Sequence, residues 1–468
     1  MNKKVSFFLF LVILISGYSS LALELIAMRQ VIPYIGNYTI ISSIIIGMIL
    51  VFSSFGYYFS GTIRANNGSI RKKILNNFII SLIFIFFGTT YIFVEYFFEI
   101  FGYFGISNPI IQAFLFSLIF LSVPSYLLSQ TTPLVSNFFS KKLSGEMTGK
   151  MLMFGTFGSF AGSIFTTLFI MPLFGVSTAV FFNMFLMAVA IILISKKKKL
   201  DIVIVSLVFI VISFVFNNKS LEKELNILSN NGYSTIKVIE TDDDKSKIMM
   251  INNSFSSKIS EDDKLMFEYI KYINSNFIAT MPKDKKFDIL VLAAGGFTVG
   301  YFDNRNNYTF VDIDGSLLDV SEKYFLNKKL GKNKKFVVAD ARAFLRQNNK
   351  KYDLIILDTY GNYMDIPSQL ITENYFIDVK NALKDNGVLV ANIIASVNFG
   401  NKFSTKFNNT FSKVFENFSR YPISEINPWD DDSIKYRNIM YVYFNDFIKT
   451  EDFYTDDNSS SKIFDKGN

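Results

Sequence analysis

The chain contains no cysteine and no histidine among its 468 residues. Disulfide bonds, cysteine nucleophiles, histidine acid–base catalysis and metal sites built on cysteine or histidine are therefore excluded. Proton transfer has to use aspartate, glutamate, lysine, tyrosine or water. We accordingly look for chemistry based on carboxylates and amines, and we expect no bound metal.

Basic residues give the chain a formal net charge of +7, but they do not indicate nucleic-acid binding. Much of this charge lies in short clusters beside apolar segments, for example Arg71–Lys73 and Lys196–Lys199. Clusters in that position set the orientation of membrane proteins. We therefore expect a lipid bilayer, and no nucleic acid, among the partners. The sequence gives no indication of the oligomeric state.

Long uncharged segments fill the N-terminal half of the chain, and about 20 apolar residues suffice for a helix to cross a bilayer. The first, Val5–Leu23, is not followed by a signal-peptidase site, so it is predicted as a span and not as a removable signal. Small residues in Gly155–Ser163 predict close helix packing. The other predicted spans are 38–60, 74–95, 109–131, 151–171 and 175–195, with a shorter apolar segment at Ile202–Phe216.

The basic clusters flank alternate ends of these segments, which places the N terminus and Lys196–Lys199 in the cytoplasm. A spanning Ile202–Phe216 segment would put the rest of the chain outside the cell, whereas an interfacial or re-entrant segment would keep it inside. Glu24 follows an uncharged segment and has two interpretations. It is either an ionisable group with a function inside the span or an interfacial residue that meets Arg29.

From about Asn217 onward the composition shifts to lysine, aspartate and asparagine between alternating apolar residues. This alternation predicts two short strands, Ser234–Glu240 and Lys247–Ile251, on either side of a polar turn. Apolar residues at helical spacing then predict a helix over Asp262–Asn274. We therefore expect a small strand pair with a linking helix in this region.

Strands and helices alternate after this helix, and apolar runs such as LIIL and VLVA suit strands that are buried on both faces of a parallel sheet. A last strand pair is expected to complete the sheet in antiparallel orientation. The tail from Glu451 has the composition of a disordered segment. The predicted strands are 287–293, 308–313, 335–339, 352–358, 387–394, 423–427 and 438–444, and the predicted helices are 315–326, 340–347 and 371–384.

Four consecutive predicted strands end in a glycine turn or a carboxylate. A single acid in such a position is more often a helix N-cap, as Asp314 and Asp340 could be. Ligands of parallel sheets bind beyond the carboxyl ends of the strands, so the repetition favours a nucleoside site. Residues 293–298 read AAGGFT, which is not the dinucleotide fingerprint. The strand ends are Ala294-Gly295-Gly296, Asp312 with Asp314, Asp340, and Asp358.

The order of these motifs resembles the spermidine synthase (polyamine aminopropyltransferase) family. The motifs in the soluble half are LVLAAGG, FVDID, VVADARAFL and YDLIILDTYG. SGYSSLALELIAMRQ and TTPL in the N-terminal half resemble the membrane-fused branch. The resemblance implies a multi-pass α-helical membrane domain followed by an α/β Rossmann-like domain of the class I methyltransferase type. It also implies decarboxylated S-adenosylmethionine as cosubstrate and a small-molecule amine as substrate.

Family positions carry over to individual residues of the predicted nucleoside site. The resemblance places Gly295 and Gly296 against the amino-acid-derived part of the nucleoside. It places Asp312 on the ribose hydroxyls, and Asp340 with Ala341 on the adenine amine. These residues cover the two ends and the centre of one S-adenosyl nucleoside.

Asp358 matches the aspartate that helps to deprotonate the attacking amine in the family. Displacement at a carbon next to a sulfonium needs a neutral amine, and amines are protonated near pH 7. A carboxylate can hold the ammonium and accept its proton. Asp314 is a further candidate for the nucleoside site, and Tyr360 and Asp365 are candidates for binding the amine.

Three departures from the family pattern fall in the expected amine site. Gly296 stands where soluble members carry a diamine-binding aspartate, and Gly361 stands where they carry a second acid. Met266-Phe267 replaces a usual Tyr-His pair. Each charge-assisted contact that is lost is worth about 1.5–3 kcal/mol. We therefore expect the nucleoside site to be kept and the diamine site to be altered.

The sequence thus predicts a membrane-bound transferase that moves an aminopropyl group from decarboxylated S-adenosylmethionine to an amine such as putrescine. One alternative is a methyltransferase that uses S-adenosylmethionine on a membrane-associated substrate. Another is a transporter or sensor with a non-catalytic nucleoside domain. The predicted domains are 1–216, 217–283, 284–448 and 449–468. We expect the protein in the inner cell membrane, and the nucleoside chemistry favours a cytoplasmic soluble domain.

Overall fold

The chain folds into a helical half followed by two β-sheets, as seen in a computed structural model. Apolar residues dominate the helical half, and alternating or continuous apolar strands dominate the rest. The structure describes residues 3–36, 39–63, 67–106, 108–136, 144–195, 200–241, 245–260, 266–359, 366–423 and 436–445.

The helical half consists of long apolar helices, some of which contain a π-helical turn or a bend. Within the described residues, six helical stretches are long and apolar enough to cross a membrane, or up to seven if a bent pair counts as one. The helices are α1 (Lys3–Ile35), α2 (Thr39–Gly61), α3 (Asn67–Thr89), α4 (Tyr91–Tyr103), α5 (Pro109–Phe116), α6 (Ser122–Ser129), α7 (Thr131–Ser136), α8 (Ser144–Ile164), α9 (Met171–Phe174), α10 (Val176–Ile194), α11 (Leu200–Phe216) and α12 (Lys219–Glu224).

Two helices are longer than the sequence predicts. α1 continues well past Leu23 to Ile35, so Glu24 and Arg29 both lie inside this helix. The stretch Leu200–Glu224 has 25 residues and passes the same length and composition test as the other candidate spans. The added length comes from Leu200 and Asp201 before the predicted segment and from the residues up to the end of α12 after it.

Polar contacts define two opposite ends of the helical half. Arg71 Nη2, near the start of α3, donates to Ser195 O at 2.8 Å, just after α10. We call this the basic end. Asn217 Nδ2, just after α11, donates to Thr90 Oγ1 at 3.3 Å, just after α3. We call this the sheet end. α11 therefore runs from the basic end, where Lys196–Lys199 precede it in the sequence, to the sheet end.

Close packing between α1 and α8 confirms the prediction from the small residues. A methyl group at Gly158 would overlap the carbonyl oxygen of Leu14, and one at Gly162 would overlap that of Tyr18. Glycine at these positions lets the two backbones touch, as small residues do where helices pack closely against one another in membrane proteins. The glycines of α8 therefore serve the packing of the helical half.

The first sheet has four antiparallel strands in the order β1-β2-β3-β4, where the sequence predicts only two. β4 escaped prediction because its sequence, SFSSKIS, is mostly serine and gives little apolar alternation. β1 is only four residues long and ends at a polar turn. The strands are β1 (Ile227–Asn230), β2 (Thr235–Thr241), β3 (Ser246–Ile251) and β4 (Ser254–Ser260).

The second sheet has seven strands in the order β10-β11-β9-β8-β5-β6-β7. β5 to β8 are parallel to their neighbours, and β10 and β11 are antiparallel, as predicted. β10 lies ahead of the predicted 423–427, of which 424–427 are outside the described residues. The strands are β5 (Asp288–Leu292), β6 (Asn307–Asp312), β7 (Lys334–Val338), β8 (Tyr352–Leu357), β9 (Leu383–Ser396), β10 (Ser419–Pro422) and β11 (Tyr436–Phe444).

Helices cover both faces of this sheet. Alternate residues of β5 enter different cores, since Ile289 and Val291 pack on one face and Leu290 and Leu292 on the other. That two-sided burial explains the continuous apolar strands and gives the expected Rossmann-like architecture. The helices are α13 (Glu268–Ile273), α14 (Ser316–Val320), α15 (Ala341–Gln347), α16 (Glu373–Asn381) and α17 (Lys402–Val414).

Candidate active site

The strand ends predicted from the sequence meet at one edge of the large sheet. β8, β5, β6 and β7 are consecutive in the sheet and parallel, so their carboxyl ends share this edge. Asp358 N donates to Leu292 O at 3.1 Å, and Ala339 N donates to Asp312 O at 2.8 Å. The structure therefore brings the glycine turn, Asp312, Asp340 and Asp358 to one side of the domain.

The glycine turn after β5 is closed against neighbouring side chains. Gly295 has a φ of +49°, a conformation that residues with a Cβ rarely adopt. A Cβ at Gly296 would overlap the Phe325 ring and lie 2.8 Å from Ser257 Cβ. Gly296 N donates to Ser257 Oγ at 2.8 Å. An aspartate in place of Gly296 would therefore have no room in this fold.

Asp312 is held by backbone donors on both of its carboxylate oxygens. Ala294 N donates to Oδ2 at 3.0 Å, and Asp314 N donates to Oδ1 at 3.0 Å. Burial nevertheless raises the pKa of Asp312 to about 6, because desolvation outweighs these hydrogen bonds. The group is thus an oriented acceptor at the end of β6, ionised at neutral pH.

Asp358, at the end of β8, is buried and accepts hydrogen bonds from two uncharged side chains. The Tyr269 hydroxyl donates to Oδ2 at 2.9 Å, and Asn392 Nδ2 donates to Oδ1 at 2.8 Å. Burial raises the pKa of Asp358 to about 6, against the lowering effect of both hydrogen bonds. A carboxylate with this pKa can accept a proton near neutral pH better than an exposed one can.

Neither partner of Asp358 was predicted from the sequence. Tyr269 lies in α13, within the helix predicted over Asp262–Asn274, and its hydroxyl reaches the carboxylate. Asn392 carried an available signal, because it is a polar residue inside the apolar run VLVANII of β9. It is 3% exposed, so its amide needs buried partners.

Asp340 acts as the N-cap of α15. Its Oδ1 accepts from Ala343 N at 2.8 Å, and Ala341 is the first residue of the helix. The capping interpretation that the sequence left open for Asp340 is therefore confirmed. The position remains at the edge that also carries Asp312, next to it in the sheet.

Asp314 points its carboxylate toward the small sheet. Oδ1 accepts from Asn231 Nδ2 at 2.9 Å and from Ser316 N at 2.9 Å, and the Ser234 hydroxyl donates to Oδ2. Asp314 is only 2% exposed, so these bonds account for a fully buried carboxylate. The two remaining candidates, Tyr360 and Asp365, lie outside the described residues.

The predicted strand-end residues thus lie at one edge of an α/β domain, and comparisons with known proteins show what this domain is similar to. Residues 295–426 match the family model of the spermine/spermidine synthase domain. Residues 295–426 are therefore similar to the spermine/spermidine synthase domain.

Individual relatives agree with the family match. A polyamine aminopropyltransferase of Vibrio vulnificus is 28% identical over 144 residues, which are 29% of this chain and 46% of that protein. One of Pyrobaculum aerophilum is 25% identical over 178 residues, which are 36% of this chain and 59% of that protein. The chain thus spans about half the length of these curated relatives.

A solved structure of a probable spermidine synthase from Corynebacterium glutamicum is also similar. It is 21% identical, covers 49% of this chain and 81% of that protein, and has a TM-score of 0.39.

Proposed function

We propose that this chain is a transferase that moves an aminopropyl group from decarboxylated S-adenosylmethionine to a small amine. The observation that carries the proposal is the geometry of Asp358. It is a buried carboxylate with a raised pKa, held by Tyr269 and Asn392, and it follows a strand adjacent to the glycine turn. The match of residues 295–426 to the family model of the spermine/spermidine synthase domain supports the same reaction.

In this proposal the nucleoside lies along the shared edge of β5, β6 and β7. The backbone of Gly295 and Gly296, which follows β5, contacts its amino-acid-derived part. Asp312 accepts hydrogen bonds from the ribose hydroxyls, and its two backbone donors keep it oriented. Asp340, with Ala341, contacts the adenine amine at the start of α15.

Asp358 is proposed to accept the proton of the attacking amine. The amine nitrogen forms a bond to the carbon next to the sulfonium, and the carbon–sulfur bond breaks. Methylthioadenosine leaves with the electron pair, and the ammonium proton passes to Asp358. The hydrogen bonds from Tyr269 and Asn392 fix the carboxylate in place, so that the amine arrives at an oriented acceptor.

The acceptor amine is proposed to differ from a simple diamine. The close contacts of Gly296 with Phe325 and Ser257 leave no space for a second carboxylate in the turn. Among the described residues, the side chains that donate to Asp358 are uncharged, so they add no attraction for a second ammonium. Tyr360 and Asp365 stay proposed contacts of the amine. Putrescine is therefore one member of the panel to test and not the presumed substrate.

A product assay tests the proposed reaction. Purified full-length protein is incubated with decarboxylated S-adenosylmethionine or S-adenosylmethionine and a panel of monoamines, diamines and longer polyamines. We expect methylthioadenosine together with an aminopropylated amine. Release of S-adenosylhomocysteine would instead identify a methyltransferase. Nucleoside binding without either product would identify a regulatory domain.

We also propose that the helical half crosses the inner membrane. Its support is the set of six or seven long apolar stretches within the described residues. The nucleoside chemistry and the positions of the basic residues predict different sides of the membrane for the two sheets. The nucleoside chemistry predicts the cytoplasm, and that prediction stands untested. The basic residues Arg71, Lys72 and Lys150 lie at the starts of α3 and α8, at or toward the basic end, which supports sheets on the opposite side.

The absence of cysteine makes this question directly testable. Asn409, exposed on α17, and Lys72, exposed near the start of α3, are each changed to cysteine in the otherwise cysteine-free chain. Intact cells are treated with a membrane-impermeant maleimide, and permeabilised cells give the full labelling. Labelling of Asn409→Cys only after permeabilisation supports the cytoplasmic domain. Labelling in intact cells, with Lys72→Cys protected, places the sheets outside and requires a nucleoside supply there.

A further inference from the structure

A turn of the small sheet connects the helical half to the candidate site. Arg29 of α1 is 5% exposed, and its guanidinium holds this turn at two points. Nε donates to Asn231 O at 2.6 Å, and Nη2 donates to Thr235 Oγ1 at 3.0 Å. The planar guanidinium suits such a double contact, which a lysine cannot reproduce. Arg29 of α1 therefore bonds to the turn 231–234, which joins β1 and β2, and to Thr235, the first residue of β2.

Asp314 holds the same turn from the other side. Asn231 Nδ2 donates to Asp314 Oδ1 at 2.9 Å, and the Ser234 hydroxyl donates to Oδ2. The turn is also closed internally, because Asn231 Oδ1 accepts from Ser234 N at 3.1 Å. Asn231 thus bonds to Arg29 through its backbone and to Asp314 through its side chain.

The chain of bonds continues from Asp314 to the proposed ribose ligand. Asp314 N donates to Asp312 Oδ1 at 3.0 Å. Since the other oxygen of Asp312 is held by Ala294 N, the position of residue 314 helps to fix the plane of the carboxylate. A displacement of the turn would therefore move one of the two donors that orient Asp312.

We infer that Arg29 is a positioning residue for the nucleoside site, acting through the turn 231–234 and Asp314 on the orientation of Asp312. The inference rests on the proposed function and extends it, because α1 lies far outside residues 295–426. Helix α1 then sets the affinity for the nucleoside without touching it. Asp314 also changes role, from a contact of the nucleoside to a link between the helical half and Asp312.

A second contact between the same two regions provides a matched control. Lys237 Nζ of β2 lies 2.9 Å from Glu95 Oε1 of α4, and both side chains are largely buried. This ion pair also joins the helical half to the small sheet, but its bonds do not lead to Asp314. Loss of general attachment and loss of the Arg29 link are therefore separable by mutation.

The test compares variants of the full-length protein with the wild type in detergent. The single variants are Arg29→Gln, Arg29→Lys, Asp314→Asn, Lys237→Gln and Ser234→Ala, and the double variant is Arg29→Gln/Asp314→Asn. Methylthioadenosine is the binding probe, measured by calorimetry, and the KM for the donor and kcat are measured with the best amine. Monodisperse elution and the thermal unfolding midpoint identify misfolded samples. Ser234→Ala repeats the test without changing the helical half.

We expect Arg29→Gln to weaken methylthioadenosine binding and raise the KM for the donor about tenfold, with kcat changed less than about twofold. Arg29→Lys should fall between this variant and the wild type, and Lys237→Gln should bind as the wild type does. The double variant should bind no more weakly than the weaker single variant, because both changes break one chain of bonds.

Each of the following outcomes would overturn the inference, and they are distinguishable from one another. If the wild type binds methylthioadenosine and both Arg29→Gln and Ser234→Ala bind it with unchanged affinity, Arg29 has no positioning role. The same follows if Lys237→Gln loses as much affinity as Arg29→Gln does. Both results leave the proposed function intact. If the loss of affinity in the double variant is the product of the losses in the two single variants, Arg29 does not act through Asp314. A wild-type protein that binds no methylthioadenosine overturns the proposed function, and the inference with it.

Discussion

Several buried hydroxyls of the helical half bond within their own helix, whereas polar side chains of the large sheet meet at one carboxylate. Other buried polar side chains join two helices, as Ser16 Oγ does by donating to Leu128 O at 3.0 Å. In the helices, the Ser60, Ser117 and Ser125 hydroxyls each donate to a carbonyl one turn earlier in the same chain segment. Such bonds satisfy a buried hydroxyl without involving a neighbouring element. In the sheet domain, by contrast, Tyr269 and Asn392 from separate elements converge on one carboxylate.

Polar side chains of the first kind stabilise the fold, whereas those of the second kind can also support a reaction. A hydroxyl that bonds to its own helix makes that helix compatible with an apolar environment and leaves nothing to bind a ligand. Donors that converge from several elements hold a carboxylate in a fixed orientation at the edge where ligands of parallel sheets bind. The reaction is therefore expected to depend on single side chains of the sheet domain, and the helical half on packing.

Substitution of Asp358 is the change that tests this comparison with the largest expected effect. Asp358→Asn removes the proton acceptor and should lower kcat about 10³-fold, within the range for a general base. Binding of methylthioadenosine should stay within about twofold of the wild type, because the proposed nucleoside site lies at β5, β6 and β7. Steady-state kinetics and calorimetry on the same sample measure both quantities.

Asp353→Asn is the matched control for this change. Asp353 lies near the other end of the same strand, where it accepts from Lys384 Nζ at 2.8 Å. Its removal weakens a partly exposed ion pair, worth about 0–1 kcal/mol, and should leave kcat unchanged. Equal activity of Asp358→Asn and the wild type would exclude the proposed role of Asp358.

The pH dependence of the activity should also show that the reaction depends on carboxyl groups of the sheet domain. Burial raises the pKa of Asp312 and of Asp358 to about 6, and both must be ionised to act. Activity should therefore rise with pH through about 6 and be about 100-fold lower at pH 5, since two ionisations are required. The logarithm of kcat/KM plotted against pH should approach a slope of two. A slope of one would assign the titration to a single carboxyl.

The same two carboxyls have the opposite effect on stability. Their pKa values in the folded state lie above the ordinary value of 3.8, so the folded chain binds protons more tightly than the unfolded chain does. Their favourable contribution to stability is complete below about pH 4 and is lost as the pH rises through about 6. Thermal unfolding between pH 5 and 7 measures this loss.

Much of the fold could be predicted from the sequence because strands with two buried faces leave continuous apolar runs. The carboxyl ends of β5, β6 and β8 were predicted within a residue or two, and so were the residues that follow them. α17 was missed because KFSTKFNNTFSKV is rich in serine, threonine and asparagine, which favour helices weakly. Its signal was the spacing of Phe403, Phe407 and Phe411.

The connections between distant segments could not be predicted. Arg29 was expected to meet Glu24 if it had a partner, but its guanidinium bonds to residues 231 and 235. Nothing local in the sequence encodes such a contact, because its two sides are separated by the whole helical half. The pairing of Tyr269 with Asp358 has the same cause, since tertiary contacts alone bring α13 to the end of β8.

A glycine substitution tests whether packing is what the helical half needs. Gly158→Ala places a methyl group against the Leu14 carbonyl and should destabilise the protein by about 2 kcal/mol through overpacking. Gly47→Ala is the control, because a Cβ there meets nothing within 4 Å. It should be neutral or stabilising by up to about 1 kcal/mol, as alanine favours helices. Thermal unfolding in detergent compares the two, and equal midpoints would contradict close packing of α1 and α8.

The smallest expected effect is that of Tyr269→Phe, which tests how far one donor tunes Asp358. The Tyr269 hydroxyl lowers the pKa of Asp358 through its 2.9 Å hydrogen bond. Without it, we expect a pKa above 6, an acid limb of kcat shifted to higher pH, and about tenfold lower kcat at pH 7. Tyr272→Phe, three residues along the same helix, should change neither quantity. A lower kcat with an unshifted acid limb would mean that Tyr269 contacts the substrate and does not act through Asp358.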